Sequence, residues 1–101
     1  MRQITSYPSL STEDLINELA EVTQLLKASL LQQATAQAGY DKEHVNSYYM
    51  SQGHSVAEKN READYNASSA LEDLTEFNNQ VQIHTVVRDF LTNLISWRMK
   101  V

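Results

Sequence analysis

Apolar residues recur at helical spacing along most of the chain. Leu15, Leu19, Val22, Leu26 and Leu30 follow one another at steps of four, three, four and four, which places them on one face of a helix. Ile16, Leu25 and Leu31 widen that stripe. The next stretch, QQATAQAGY, is small and polar, so packing there is expected to be close but weak. A second series runs through Ala63, Ala67, Ala70, Leu74, Phe77, Val81, His84, Arg88, Leu91 and Ile95. Its steps alternate four and three, the spacing of a heptad seam. Near its end a further stripe appears: Ile83, Val87, Phe90, Leu94 and Trp97.

The boundaries carry their own signals. Pro8 disfavours helix at the preceding residue, so residues 1–10 are expected to form an extended arm. Ser11 begins an S-x-x-D box with Asp14, and Leu10 and Leu15 have the spacing of a hydrophobic staple, so a helix is expected from about residue 12. Gly39 leaves two readings open. Either one helix runs through it to about Met50, the preferred reading, or the helix breaks there and Asp41 caps a shorter one, with Tyr40 and Val45 as its staple. Gly53 suits the left-handed position past a helix end, and Ser55 with Glu58 fits a capping box. Stop, link and start follow in order. The prediction is an all-α, long antiparallel helical hairpin: helix about 12–50, turn 51–55, helix about 56–99, with residues 11–101 as a single domain.

Two antiparallel helices bury one stripe each. The second stripe therefore needs another cover, and a homo-oligomer, most simply a dimer forming a coiled-coil-like four-helix bundle, is expected. Ile83, Val87, Phe90, Leu94 and Trp97 are its candidate interface. A hairpin closing between Met50 and Val56 pairs residues whose numbers sum to about 106. That sets Glu18 opposite Arg88, a candidate ion pair fixing register, and Val22 opposite His84.

Composition narrows the chemistry. The 101 residues carry a formal charge of -5 and are 42% apolar, with only two glycines and one proline. So few turn residues disfavour a β-rich fold. Eight scattered basic residues argue against direct nucleic-acid binding. Cysteine is absent, which removes thiolate chemistry and disulfides. There is no apolar N-terminal leader and no run approaching the roughly 18 apolar residues of a membrane span. The expected setting is the cytoplasm, with no membrane contact.

Catalytic signatures are lacking: no Gly-rich phosphate loop, S-x-x-K, G-x-S-x-G or H-E-x-x-H occurs. Asp41 and His44 are spaced for a di-iron half-site but have no second copy, so no metal and no cofactor is expected. His54 and Glu58 lie four apart at a hairpin tip, which offers no cavity for acid–base work. Tyr40, Tyr48, Tyr49 and Tyr65 gather near the turn, where tyrosines either thicken an alanine-lined end or contact a partner. Tyr48 and Tyr49 are the partner-contact candidates, Tyr49 the more exposed. Asp64, Glu72, Asp73 and Glu76 form an acidic helix face.

The stretches SQGHSVAEKNRE (residues 51–62) and LTNLISWR (residues 91–98) resemble a family of small helical proteins encoded by tailed bacteriophages near their recombination genes. The matching elements are Tyr48 and Tyr49, Gly53, Ser55, Glu58 to Ala63, and Ser96 with Arg98. The resemblance spans residues 45–99 and implies a phage or prophage origin, hence a bacterial host cytoplasm, without assigning a functional residue. Secreted helical hairpins of the W-x-G type are similar in length, but this turn has no Trp and no Y-x-x-x-D/E tail follows. The expected function is non-enzymatic: a phage-type oligomeric interaction module accessory to phage DNA metabolism. The alternatives are an anti-CRISPR-like inhibitor of a host defence nuclease, acting through the acidic face, or a structural bundle of a virion or secretion system.

Overall fold

The computed structural model describes residues 4–53 and 55–100, and every regular element among them is helical. A 3-10 segment, Ile4–Ser9, precedes three α-helices: α1 (Thr12–Met50), α2 (Val56–Asn66) and α3 (Ser68–Met99). The fold is an all-α helical hairpin, with α1 as one arm and α2 with α3 as the other. Contacts divide it into two compact units, residues 1–30 with 80–101 and residues 31–79. His54 and its proposed pairing with Glu58 lie outside the described residues.

Helix α1 starts where its cap places it. The Ser11 hydroxyl accepts from the Asp14 amide at 3.1 Å, and the Ser11 carbonyl accepts from the Leu15 amide at 2.9 Å, satisfying amides that have no partner inside the helix. Glu13 and Asp14 fall in its first turn, favourable at the positive end of the helix dipole. It then runs unbroken through Gly39 to Met50. A Cβ added at Gly39 would meet nothing within 4 Å; the glycine there only weakens the helix.

The turn is built differently from its sequence signal. Gly53 does not take a positive φ. Its need is for space: a Cβ there would lie 2.8 Å from Glu58 Cβ and 3.2 Å from the Lys59 nitrogen. The first turn of α2 thus closes directly onto the glycine backbone. Ser55 caps α2 as expected, extended at φ -124°, ψ 161°, with its hydroxyl accepting from the Glu58 amide at 3.1 Å.

The second arm is interrupted once. Ala67 adopts φ -90°, ψ 3°, between α2 and α3. The hydrogen bonds nevertheless continue, Ala67 N–H to Ala63 O at 3.0 Å and Leu71 N–H to Ala67 O at 2.9 Å. Asn66, Ser68 and Ser69 around it are weak helix formers, so the backbone relaxes here.

In the first unit the core is Tyr7, Leu15, Val22, Val87, Leu91 and Ile95. Each fully buried large side chain stabilises by about 1.5–3 kcal/mol. The 3-10 segment is the correction to the expected extended arm. Tyr7 is completely buried, and Ile4 and Leu10 pack on the same cluster. In the second unit Ala63, Ala67 and Leu74 are the buried apolar residues, while α1 buries nothing beyond Ser29. There the arms meet through small side chains and polar bonds, including Gln33 Nε2 to Asn78 Oδ1 at 2.6 Å.

Candidate interaction surfaces

All ten residues of the heptad seam, from Ala63 to Ile95, are buried or half-buried, so that face is consumed inside the chain. The second stripe is divided. Val87 is buried, and Phe90 and Leu94 pack half-buried against the core, whereas Ile83 and Trp97 stay exposed. The covering element is the 3-10 segment: the Tyr7 ring lies 6.2 Å from that of Phe90. The cover assigned to a second copy is thus in part supplied by the chain's own N-terminal residues.

Arg98 holds that segment. Its guanidinium donates through Nη2 to the Pro8 carbonyl at 2.7 Å and through Nη1 to the Leu10 carbonyl. Charge-assisted bonds of this kind are stronger than neutral ones, and the planar fork fits two acceptors. Neither Tyr7 nor Arg98 stands out in a periodicity reading, because their partners lie about 90 positions away. The Pro8 signal alone marked the segment, and it pointed to extended chain.

The structure gives Arg88 a different partner from the expected Glu18. Arg88 turns to its neighbour Asp89, Nη2 to Oδ1 at 3.2 Å, with the Arg88 side chain 41% and the Asp89 side chain 60% exposed. Glu18 sits half-buried on α1. His84 faces Ser29 rather than Val22: Ser29 Oγ and His84 Nδ1 share a hydrogen bond of 2.9 Å. The hairpin is therefore shifted by about two turns of helix from the simple count through the turn. That count assumed α2 departs level with the last residue of α1.

Around the turn end, His44 Nε2 pairs with Asp64 Oδ1 at 2.8 Å, joining α1 to α2. Asp41 instead accepts from Gln37 Nε2 at 2.9 Å. The two residues of the metal-like spacing thus serve separate partners, and the described residues contain no cluster of three or more potential metal ligands. The Ser51 hydroxyl donates to Glu62. Tyr48 is half-buried, edge-on to Tyr49 at 5.6 Å, with the Lys59 ammonium 5.8 Å from its ring centre. Tyr49 and Tyr65 are each 79% exposed and Met50 is 78% exposed.

On α3, Glu72, Asp73 and Glu76 face solvent. Asp64 is separated from that set by its bond to His44. An open apolar groove in the same unit is lined by Leu31, Ala36, Gly39, Ala70 and Phe77, with Asp73 beside them. No described helix is long and apolar enough to cross a membrane. Comparison of the chain with protein-family models, with curated proteins and with solved structures finds no match.

Proposed function

We propose that the chain is a non-enzymatic protein–protein interaction module of phage type, accessory to phage DNA metabolism, which recognises its partner through the turn end of the hairpin. The observation that carries this reading is the exposure of Tyr49, Met50, Val56 and Tyr65 at that end. Large apolar and aromatic side chains left in water mark contact surfaces, and tyrosine supplies rigid amphipathic area at small entropic loss. Tyr48, held by Tyr49 and Lys59, steadies the patch from below. Self-association into a dimer belongs to the same reading.

A second reading rests on the exposed Glu72, Asp73 and Glu76: an acidic face that competes with nucleic acid for the channel of a defence nuclease. Capture from infected or lysogenic bacterial cells separates the two. The chain is compared with a Tyr49→Ser, Met50→Ser, Tyr65→Ser variant of unchanged helical circular dichroism. A phage recombination protein held by the first and lost by the second supports the turn-end reading. The same prey held equally by both removes the turn end from recognition. A nuclease released by Glu72→Gln, Asp73→Asn, Glu76→Gln favours the acidic face.

A further inference from the structure

One flank of the second unit carries an open groove between α1 and the other arm. Part of it, about 410 Å³, is lined by Leu31 and Phe77 and by the small residues Ala36, Gly39 and Ala70, with Asp73 among them. A further depression of about 380 Å³ is lined by Glu43, Met50, Glu62 and Asn66. The two lie on the same helix faces. On α1 the lining residues Gln32, Ala36, Gly39, Glu43 and Ser47 follow steps of four, three, four and four. On the other arm Glu62, Asn66, Ala70, Asp73 and Phe77 follow four, four, three and four. Such spacing keeps each set on one side of its helix, so the depressions are parts of one groove. From Gln32 to Met50 it runs on the order of 27 Å, at about 1.5 Å per residue.

Its chemistry is one-sided. The apolar part holds Leu31, which is 71% exposed. Three carboxylates line the groove, Glu43, Glu62 and Asp73, and no lysine, arginine or histidine does. Lys42 and Arg61, the cations next in sequence to Glu43 and Glu62, are outside the lining. His44 and Lys59 are engaged elsewhere, with Asp64 and the Tyr48 ring. Of the acidic set on α3, only Asp73 belongs to the groove.

Gly39 adds a separate observation. It weakens an unbroken helix, and a Cβ there would meet nothing within 4 Å. No contact inside the chain uses the missing side chain. A bare position in the lining does leave room for another backbone to approach closely, the kind of stability loss that accompanies function.

We infer that this groove docks a basic amphipathic helix of a partner protein. The apolar stripe of that helix lies on Leu31, Ala36, Gly39, Ala70 and Phe77, and its lysines or arginines face Glu43, Glu62 and Asp73. Helices seated in apolar grooves are held in this way, by anchors at helical spacing, and complementary charge fixes which helix is accepted. The surface runs along the flank of the arms and goes beyond the recognition proposed for Tyr49 and Tyr65.

The full chain tests this against three labelled peptides of about 18 residues. One is built of leucine and lysine with the leucines at helical spacing, one has the same composition with that stripe scrambled, and one has glutamate for lysine. Fluorescence anisotropy is expected to show the first binding about tenfold or more tighter than either control. Gly39→Leu, which fills the groove from its open side, and Thr35→Trp are each expected to weaken that binding about tenfold at unchanged helical circular dichroism. Glu43→Gln, Glu62→Gln, Asp73→Asn is expected to weaken it and to flatten its dependence on salt. Tyr49→Ser, Tyr65→Ser is expected to bind as the parent chain does. Equal binding of the scrambled peptide, or binding indifferent to both groove-filling variants, overturns the inference. So does a parent chain that sediments as an oligomer and is made monomeric by Gly39→Leu, since a second copy would then hold the groove.

Discussion

Ser29 and His84 meet across the arms of the hairpin, hydroxyl oxygen to Nδ1 at 2.9 Å, with Ser29 only 2% exposed. It is a polar bond set in the line of apolar side chains that run from Leu26 on one arm and Leu91 on the other. A buried hydrogen-bonding group left alone is costly, so a register that joins these two is favoured.

Ser29→Ala is therefore expected to destabilise by about 0.5–1.5 kcal/mol, as His84 Nδ1 loses its partner. The double variant Ser29→Ala, His84→Leu is expected to recover much of that, since both polar groups are gone together. Urea midpoints at constant slope measure the difference. If the double variant loses as much stability as the two singles added together, the pair does not act as a unit.

The two glycines are expected to respond with opposite sign. Gly39→Ala places a methyl in open space on an unbroken helix and is expected to stabilise by about 0.8–1 kcal/mol. Gly53→Ala pushes a Cβ to 2.8 Å from Glu58 Cβ and is expected to destabilise by about 1–3 kcal/mol through overpacking. Thermal unfolding followed at the helical ellipticity band reads both. Equal shifts in one direction would contradict the close approach at the turn.

Arg88→Met is expected to change stability by no more than about 0.5 kcal/mol, because its ion pair with Asp89 is exposed and between chain neighbours. Cross-arm contacts seen by nuclear Overhauser effects between the Ser29 and His84 spin systems are expected to persist. Their loss in this variant would give Arg88 a part in register that the geometry does not show.

The sequence read well wherever the deciding interaction is local. The caps at Ser11 and Ser55 act over three residues, and both form as read. Continuity through Gly39 followed from helix-forming neighbours outweighing one weak residue. The seam from Ala63 to Ile95 kept its face because side-chain direction repeats with the helix turn. On α1 the same logic slipped at one step. After Leu26 the inward line moves three residues, to Ser29, and not four, to Leu30, which is 46% exposed. A stripe chosen by hydrophobicity followed the leucine, whereas strict alternation of four and three would have followed the serine.

Local pattern along this chain determines that it is helical, where its helices begin, and which faces turn inward. Each of these follows from interactions within a turn or two of backbone. Only the tertiary structure decides that His84 meets Ser29, that Gly53 is required for room, and that Tyr7 and Arg98 fold the first residues over the last helix. Those choices join residues far apart in the chain. They depend on which surfaces come within reach once the arms have closed, and no spacing between neighbours records that.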